Sequence, residues 1–163
     1  MENSILYEDA HLTCVEQFGT QRDAVIVSFG EMLMRPSPEK PIWAGAPLRK
    51  LGFAGIGFVA KAENWFPKDS IHNAAAAVRS RIANYPARIG YGFSMGGWAV
   101  LNYAQLFNLD ISIAFSPQYS INPEEINDRR FSRHFDPLLH KDMAIIKQKC
   151  PGFNVVVCDP HDP

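Results

Sequence analysis

Gly92-Phe93-Ser94-Met95-Gly96 sets one hydroxyl between glycines two residues before and two residues after it, and Gly97 follows. This spacing suits a nucleophilic serine. A sharp turn from strand to helix strains the backbone, leaves no room for side chains at the flanking positions, and lifts the hydroxyl beyond the end of the sheet. It also sets the serine at the N-terminus of the next helix, where the Met95 N–H would face an oxyanion developing on an attacked carbonyl. Two other readings stand beside this one. A tight turn could hold an inert serine. Gly90-Tyr91-Gly92-Phe93-Ser94-Met95-Gly96 is also a loose dinucleotide-loop pattern. Against the latter, the loop follows the third strand of the parallel region, and the next strand ends in Ser116-Pro117-Gln118 with no carboxylate for a ribose hydroxyl.

The turn needs a strand before it and a helix after it. Residues 88–93 read as a short strand and 96–107 as a helix. Upstream, 5–8 and 12–18 read as two short strands, and 24–30 and 53–60 as buried strands rich in apolar residues. Pro36, Pro38, Pro41 and Pro47 make 31–47 a loop, with a short helix near 48–51. Residues 70–84 form a helix capped by Asp69 or Ser70. Downstream come a strand at 111–115, a polar excursion over 117–137 with helical potential at 124–130, a helix at 138–149 and a last strand at 153–158. Strands alternating with helices after residue 24 predict an α/β fold: a three-layer sandwich around a mostly parallel sheet, as one domain over 1–163.

This order, with Tyr91-Gly92-Phe93-Ser94-Met95-Gly96-Gly97-Trp98 at its centre, resembles the α/β-hydrolase superfamily, its serine esterases and thioesterases in particular. The resemblance implies that Ser94 is the nucleophile and Met95 one oxyanion donor. It implies a second donor, Glu31 or Met32, in the loop after the 24–30 strand, where Phe29-Gly30 stands in place of the usual His-Gly. It puts the acid of a catalytic triad after the last strand, as Asp162 or Asp159. In that family the base histidine follows the acid, and only Pro163 follows Asp162. The expectation is therefore a sheet incomplete at its C-terminus, with the histidine beyond residue 163; His134, His140 or His161 would serve only in a rearranged site. A metal held by Asp159, His161 and Asp162 has no second ligand cluster, so no metal and no cofactor are expected.

Trp65, after the 53–60 strand, and Gln118 and Tyr119, after the 111–115 strand, fall on the same sheet edge as Ser94 and are expected to meet substrate. Trp65 could equally be a packing residue. The 16 basic and 17 acidic residues are scattered, giving a net charge of −1 and no basic block for nucleic acid. Membrane-length apolar runs and an N-terminal signal pattern are both lacking, and three widely spaced cysteines suit reduced, mostly buried thiols, so the expected setting is cytoplasmic. The function expected is hydrolysis of a small ester or thioester through an acyl-enzyme at Ser94. The alternative is a hydrolase-like scaffold that cannot turn over. An unpaired edge at the 153–158 strand would also allow a homodimer.

Overall fold

A computed structural model of the chain describes residues 2–159. Asp162 and His161 lie outside the described residues. Seven strands form one sheet: β1 (Ser4–Glu8), β2 (Leu12–Gln17), β3 (Ala24–Phe29), β4 (Ala54–Ala60), β5 (Ala87–Phe93), β6 (Ile111–Phe115) and β7 (Phe153–Val157). Their spatial order is β1-β2-β4-β3-β5-β6-β7. The five strands β3 to β7 run parallel, while β2 pairs antiparallel with both β1 and β4.

Alternation along β3 divides the core. Val25, Val27 and Phe29 point to one face, where they meet α2 (Lys68–Ala83) and α3 (Met95–Asn102) through Ile71, Ala74, Val78, Trp98 and Ala99. Ile26 points to the other face, against Val15, Ile42 and Leu48, the last on the short α1 (Gly45–Lys50). Helices thus cover both faces, as a mostly parallel sheet requires. The outermost strand β7 is largely exposed: Phe153, Val156 and Val157 are 67%, 52% and 44% accessible.

Several elements differ from the sequence reading. Residues 138–149 do not form a helix. Only Lys147–Lys149 makes a 3-10 turn, because tertiary partners take the backbone groups a helix would use. Trp98 Nε1–H donates to the Met143 carbonyl (2.8 Å), Ile145 N–H donates to the Tyr119 carbonyl (3.1 Å), and the Lys149 ammonium binds the carbonyls of Asp142 and Ala144. Helix α3 stops at Asn102 rather than 107, and 124–130 is turn and loop. Of the cysteines only Cys14 is buried; Cys150 is partly buried and Cys158 exposed.

Candidate functional site

The β5–α3 turn has the geometry its glycines require. Ser94 sits at φ 53°, ψ −121°, a conformation that costs a non-glycine residue on the order of 1–3 kcal/mol. The turn is held by Ser94 N–H donating to the Phe115 carbonyl (2.8 Å) and by Trp98 N–H donating to the Ser94 carbonyl (2.9 Å). A Cβ on Gly92 would lie 2.4 Å from the Gly96 carbonyl oxygen, and one on Gly96 would lie 2.2 Å from that of Phe29. The flanking glycines are therefore demanded by backbone packed against backbone, and the Gly96 contact presses the start of α3 onto the end of β3.

Beyond that contact the chain turns after β3. Met34 N–H donates to the Glu31 carbonyl (3.1 Å), and Leu33 N–H to the Glu31 carboxylate (2.8 Å). Glu31 and Met32 therefore stand at the carboxyl end of β3, the strand that pairs Phe29 with Gly92 of β5. Met95, the first residue of α3, has an N–H with no acceptor within the helix.

The one polar side chain that reaches the Ser94 hydroxyl among the described residues is Gln118. Its Nε2 donates to Ser94 Oγ (3.2 Å) and, less closely, to the Ser116 carbonyl (3.4 Å). Its Oε1 is buried without a partner among the described residues. The neighbouring Tyr119 is 46% exposed. Asp159 follows β7 at the surface.

The excursion after β6 crosses the carboxyl edge of the sheet and reaches the loop after β4. There Trp65 is fully buried, its ring 5.5 Å from Phe131 and 5.3 Å from His134. Trp65 and Phe66 both take positive φ, 44° and 48°. Asn64 holds this strained pair: its Nδ2 donates to the His11 carbonyl (2.8 Å) and its Oδ1 accepts from Phe66 N–H (3.0 Å). Tyr103 Oη donates to the Phe66 carbonyl (2.7 Å). Trp65 thus lies under the excursion, with its indole N–H unpartnered among the described residues. A cleft of about 630 Å³ lies elsewhere, between α2, the end of α3 and residues 141–149, and Ser94 is not among its lining residues.

The histidines of the excursion are committed to structure. His140 is buried; its Nδ1 accepts from Asp136 N–H (2.9 Å) and its Nε2 faces the Asn64 carbonyl (2.7 Å), which fixes the tautomer with the proton on Nε2. Burial pushes the imidazole below its usual range, against the opposing pull of the Asn64 carbonyl and Asp136. His134 accepts from Arg133 Nε at its Nε2 (3.1 Å) and turns Nδ1 toward Glu63 (3.6 Å). Among the described residues no imidazole hydrogen-bonds to Ser94, and no cluster of three or more His, Cys, Asp or Glu side chains could hold a metal. Sequence reasoning missed Asn64 and the structural role of His140; the spacing of Asp136 and His140 carries no signal for a clasp closed by a carbonyl from another loop. Among the described residues no helix is long and apolar enough to cross a membrane.

No protein-family model and no curated protein matches the chain. Solved structures do. A sugar hydrolase (YeeB) from Lactococcus lactis superposes with a TM-score of 0.62 at 12% identity, over 96% of this chain and 70% of that one. The fluorophosphonate-binding serine hydrolase FphF of Staphylococcus aureus, with substrate bound, gives 0.57 at 11% identity, over 96% and 77%. The S-formylglutathione hydrolase FrmB of the same organism gives 0.56 at 13% identity, over 96% and 78%. With the strand order and the glycine-flanked turn between β5 and α3, these superpositions show that the chain has the α/β-hydrolase fold.

Proposed function

We propose that this chain is a serine-dependent acyl hydrolase acting on a small ester or thioester. The observation that carries the reading is Ser94 itself, a non-glycine residue held at φ 53° between two glycines that tolerate no side chain, at the carboxyl edge of a parallel sheet. Strain of this kind persists where it serves a site. The strand–serine–helix turn is read as a nucleophile elbow. Ser94 Oγ attacks the acyl carbon as its proton passes to a base. The oxyanion that forms is held by the N–H of Met95 and that of Glu31 or Met32. Collapse expels the alcohol or thiol, and water then cleaves the acyl-enzyme. Asp162 or Asp159 orients the base imidazole, a ring that the described residues do not bring to Ser94. The hydrolases among the superposed structures support this class of reaction.

A second reading has its own support. Gln118, whose amide cannot take a proton, is what meets Ser94 Oγ. On that reading the chain is a hydrolase-like scaffold that binds without turnover. Hydrolysis of p-nitrophenyl acetate by the full-length chain separates the two. Turnover above buffer that disappears in Ser94→Ala supports the hydrolase; equal rates for the two folded proteins support the scaffold.

A further inference from the structure

The cleft of about 630 Å³ between α2, the end of α3 and residues 141–149 has the size of an ordinary small-molecule site. Its charges do not balance. Three lysines, Lys68, Lys141 and Lys149, line it against two carboxylates, Asp142 and Glu125. Both carboxylates are engaged: Asp142 with the Lys68 ammonium (3.1 Å), Glu125 as acceptor for Ser120 Oγ (2.5 Å). The half-buried Lys149 ammonium donates only to neutral oxygens, Asn102 Oδ1 (2.6 Å) and the carbonyls of Asp142 and Ala144. Burial pulls its basicity below the usual range, against the opposing pull of Asp142 and Glu125. Lys141 is exposed, and its neighbour Asp142 turns its carboxylate to Lys68 instead. Positive charge set in a concavity without carboxylate partners favours an entering anion. The rest of the wall is apolar: Tyr103, Leu106, Ala144 and Ile146, the last 43% exposed.

We propose that this cleft binds a small amphipathic carboxylate, with its chain against Leu106, Ala144 and Ile146 and its head group beside Lys141, in the field of Lys149. The excess positive charge disfavours a cation. The apolar wall gives little to a short, strongly hydrated anion. A carboxylate with an apolar chain meets both features. The site is separate from Ser94 and does not depend on the serine-hydrolase reading.

Chemical-shift titration of the 15N-labelled full-length chain tests it with four probes: hexanoate, butyrate, 1-hexanol and hexylammonium. Hexanoate is expected to saturate shifts in 68–72, 102–106 and 141–149. It should bind about tenfold tighter than butyrate, from two further buried methylenes, and about three- to fivefold tighter than 1-hexanol, with hexylammonium the weakest of the six-carbon probes. Two exposed positions separate the contributions. Lys141→Met keeps the stem and loses the charge, and should bring hexanoate down to the level of 1-hexanol while leaving 1-hexanol unchanged. Ile146→Ser should weaken hexanoate and 1-hexanol alike. A merely structural disturbance would not divide the probes in this way. Hexanoate that causes no saturable shift in these three segments, or shifts only 93–97 and 115–118 around Ser94, would overturn the site. So would hexylammonium binding as tightly as hexanoate, or hexanoate affinity unchanged in Lys141→Met.

Discussion

Gly96→Ala tests the packing that shapes the Ser94 turn. The added Cβ would lie 2.2 Å from the Phe29 carbonyl oxygen, 2.9 Å from its carbon and 3.0 Å from the Gly30 oxygen, where ordinary contacts begin near 3.4 Å. These are backbone atoms of a central strand. Phe29 pairs with Phe58 on one side and Gly92 on the other, and Gly30 N–H donates to the Phe58 carbonyl (2.8 Å), so β3 cannot withdraw without breaking its ladders. Overpacking of a tight interior costs about 1–3 kcal/mol, and backbone that cannot yield puts this site at the upper end. Alanine returns at most about 1 kcal/mol through helix propensity. The net loss is about 2 kcal/mol, a fall in Tm of roughly 4–8 °C for a chain of this size. Urea unfolding followed by tryptophan fluorescence reads it, since Trp65 and Trp98 are both buried. Gly30→Ala is the control: its nearest neighbours are Met34 Sδ (3.2 Å) and Cβ (3.4 Å), a flexible side chain, and the cost stays below about 1 kcal/mol. A Gly96→Ala protein within about 0.5 kcal/mol of wild type, or a costlier Gly30→Ala, would refute the steric account of the glycine spacing.

Other outcomes follow from the segment that crosses the sheet edge. Trp98→Phe leaves the buried Met143 carbonyl without its donor and should cost about 1–3 kcal/mol in urea unfolding; an unchanged midpoint would count against a structural bond there. His140 carries a depressed basicity caused first by burial, so the unfolded chain binds its proton at a higher pH than the folded one. Its contribution is fully present above the ordinary histidine value of 6.5 and is lost as pH falls below it. His140→Gln should flatten that part of the stability–pH curve, and a slope below pH 6.5 that is unchanged in the variant would contradict a depressed His140. Lys149→Met frees Asn102 Oδ1 and the Asp142 and Ala144 carbonyls, and should speed proteolytic cleavage within 141–149 while leaving the sheet folded; wild-type cleavage rates would argue against the clamp.

The site was legible where chemistry is local. Gly92, Ser94 and Gly96 announce a strand-to-helix turn because the clash each glycine avoids lies within the turn or directly beneath it. Runs such as Ala24–Phe29 and Ala54–Ala60 announce buried parallel strands by their continuous apolar character. What sequence could not show depends on partners distant along the chain. Residues 138–149 carry apolar residues at helical spacing, yet Trp98 and Tyr119 capture backbone groups of Met143 and Ile145, and no pattern in the segment itself reports those competitors. Trp65 was a residue of the right type on the right edge, but whether it faces substrate or roof depends on Phe131 and His134, some 70 residues later. Gln118 was placed beside the site by topology alone; only the structure sets its amide on Ser94 Oγ.

The central claim is that Ser94 is an activated nucleophile. The most direct measurement is intact-mass and peptide-level mass spectrometry of the full-length chain after incubation with a fluorophosphonate, with Ser94→Ala as its partner. The account predicts one adduct per chain, mapped to Ser94 and absent from the alanine variant. A folded wild-type protein that stays unlabelled, or an adduct that persists in Ser94→Ala, would contradict it.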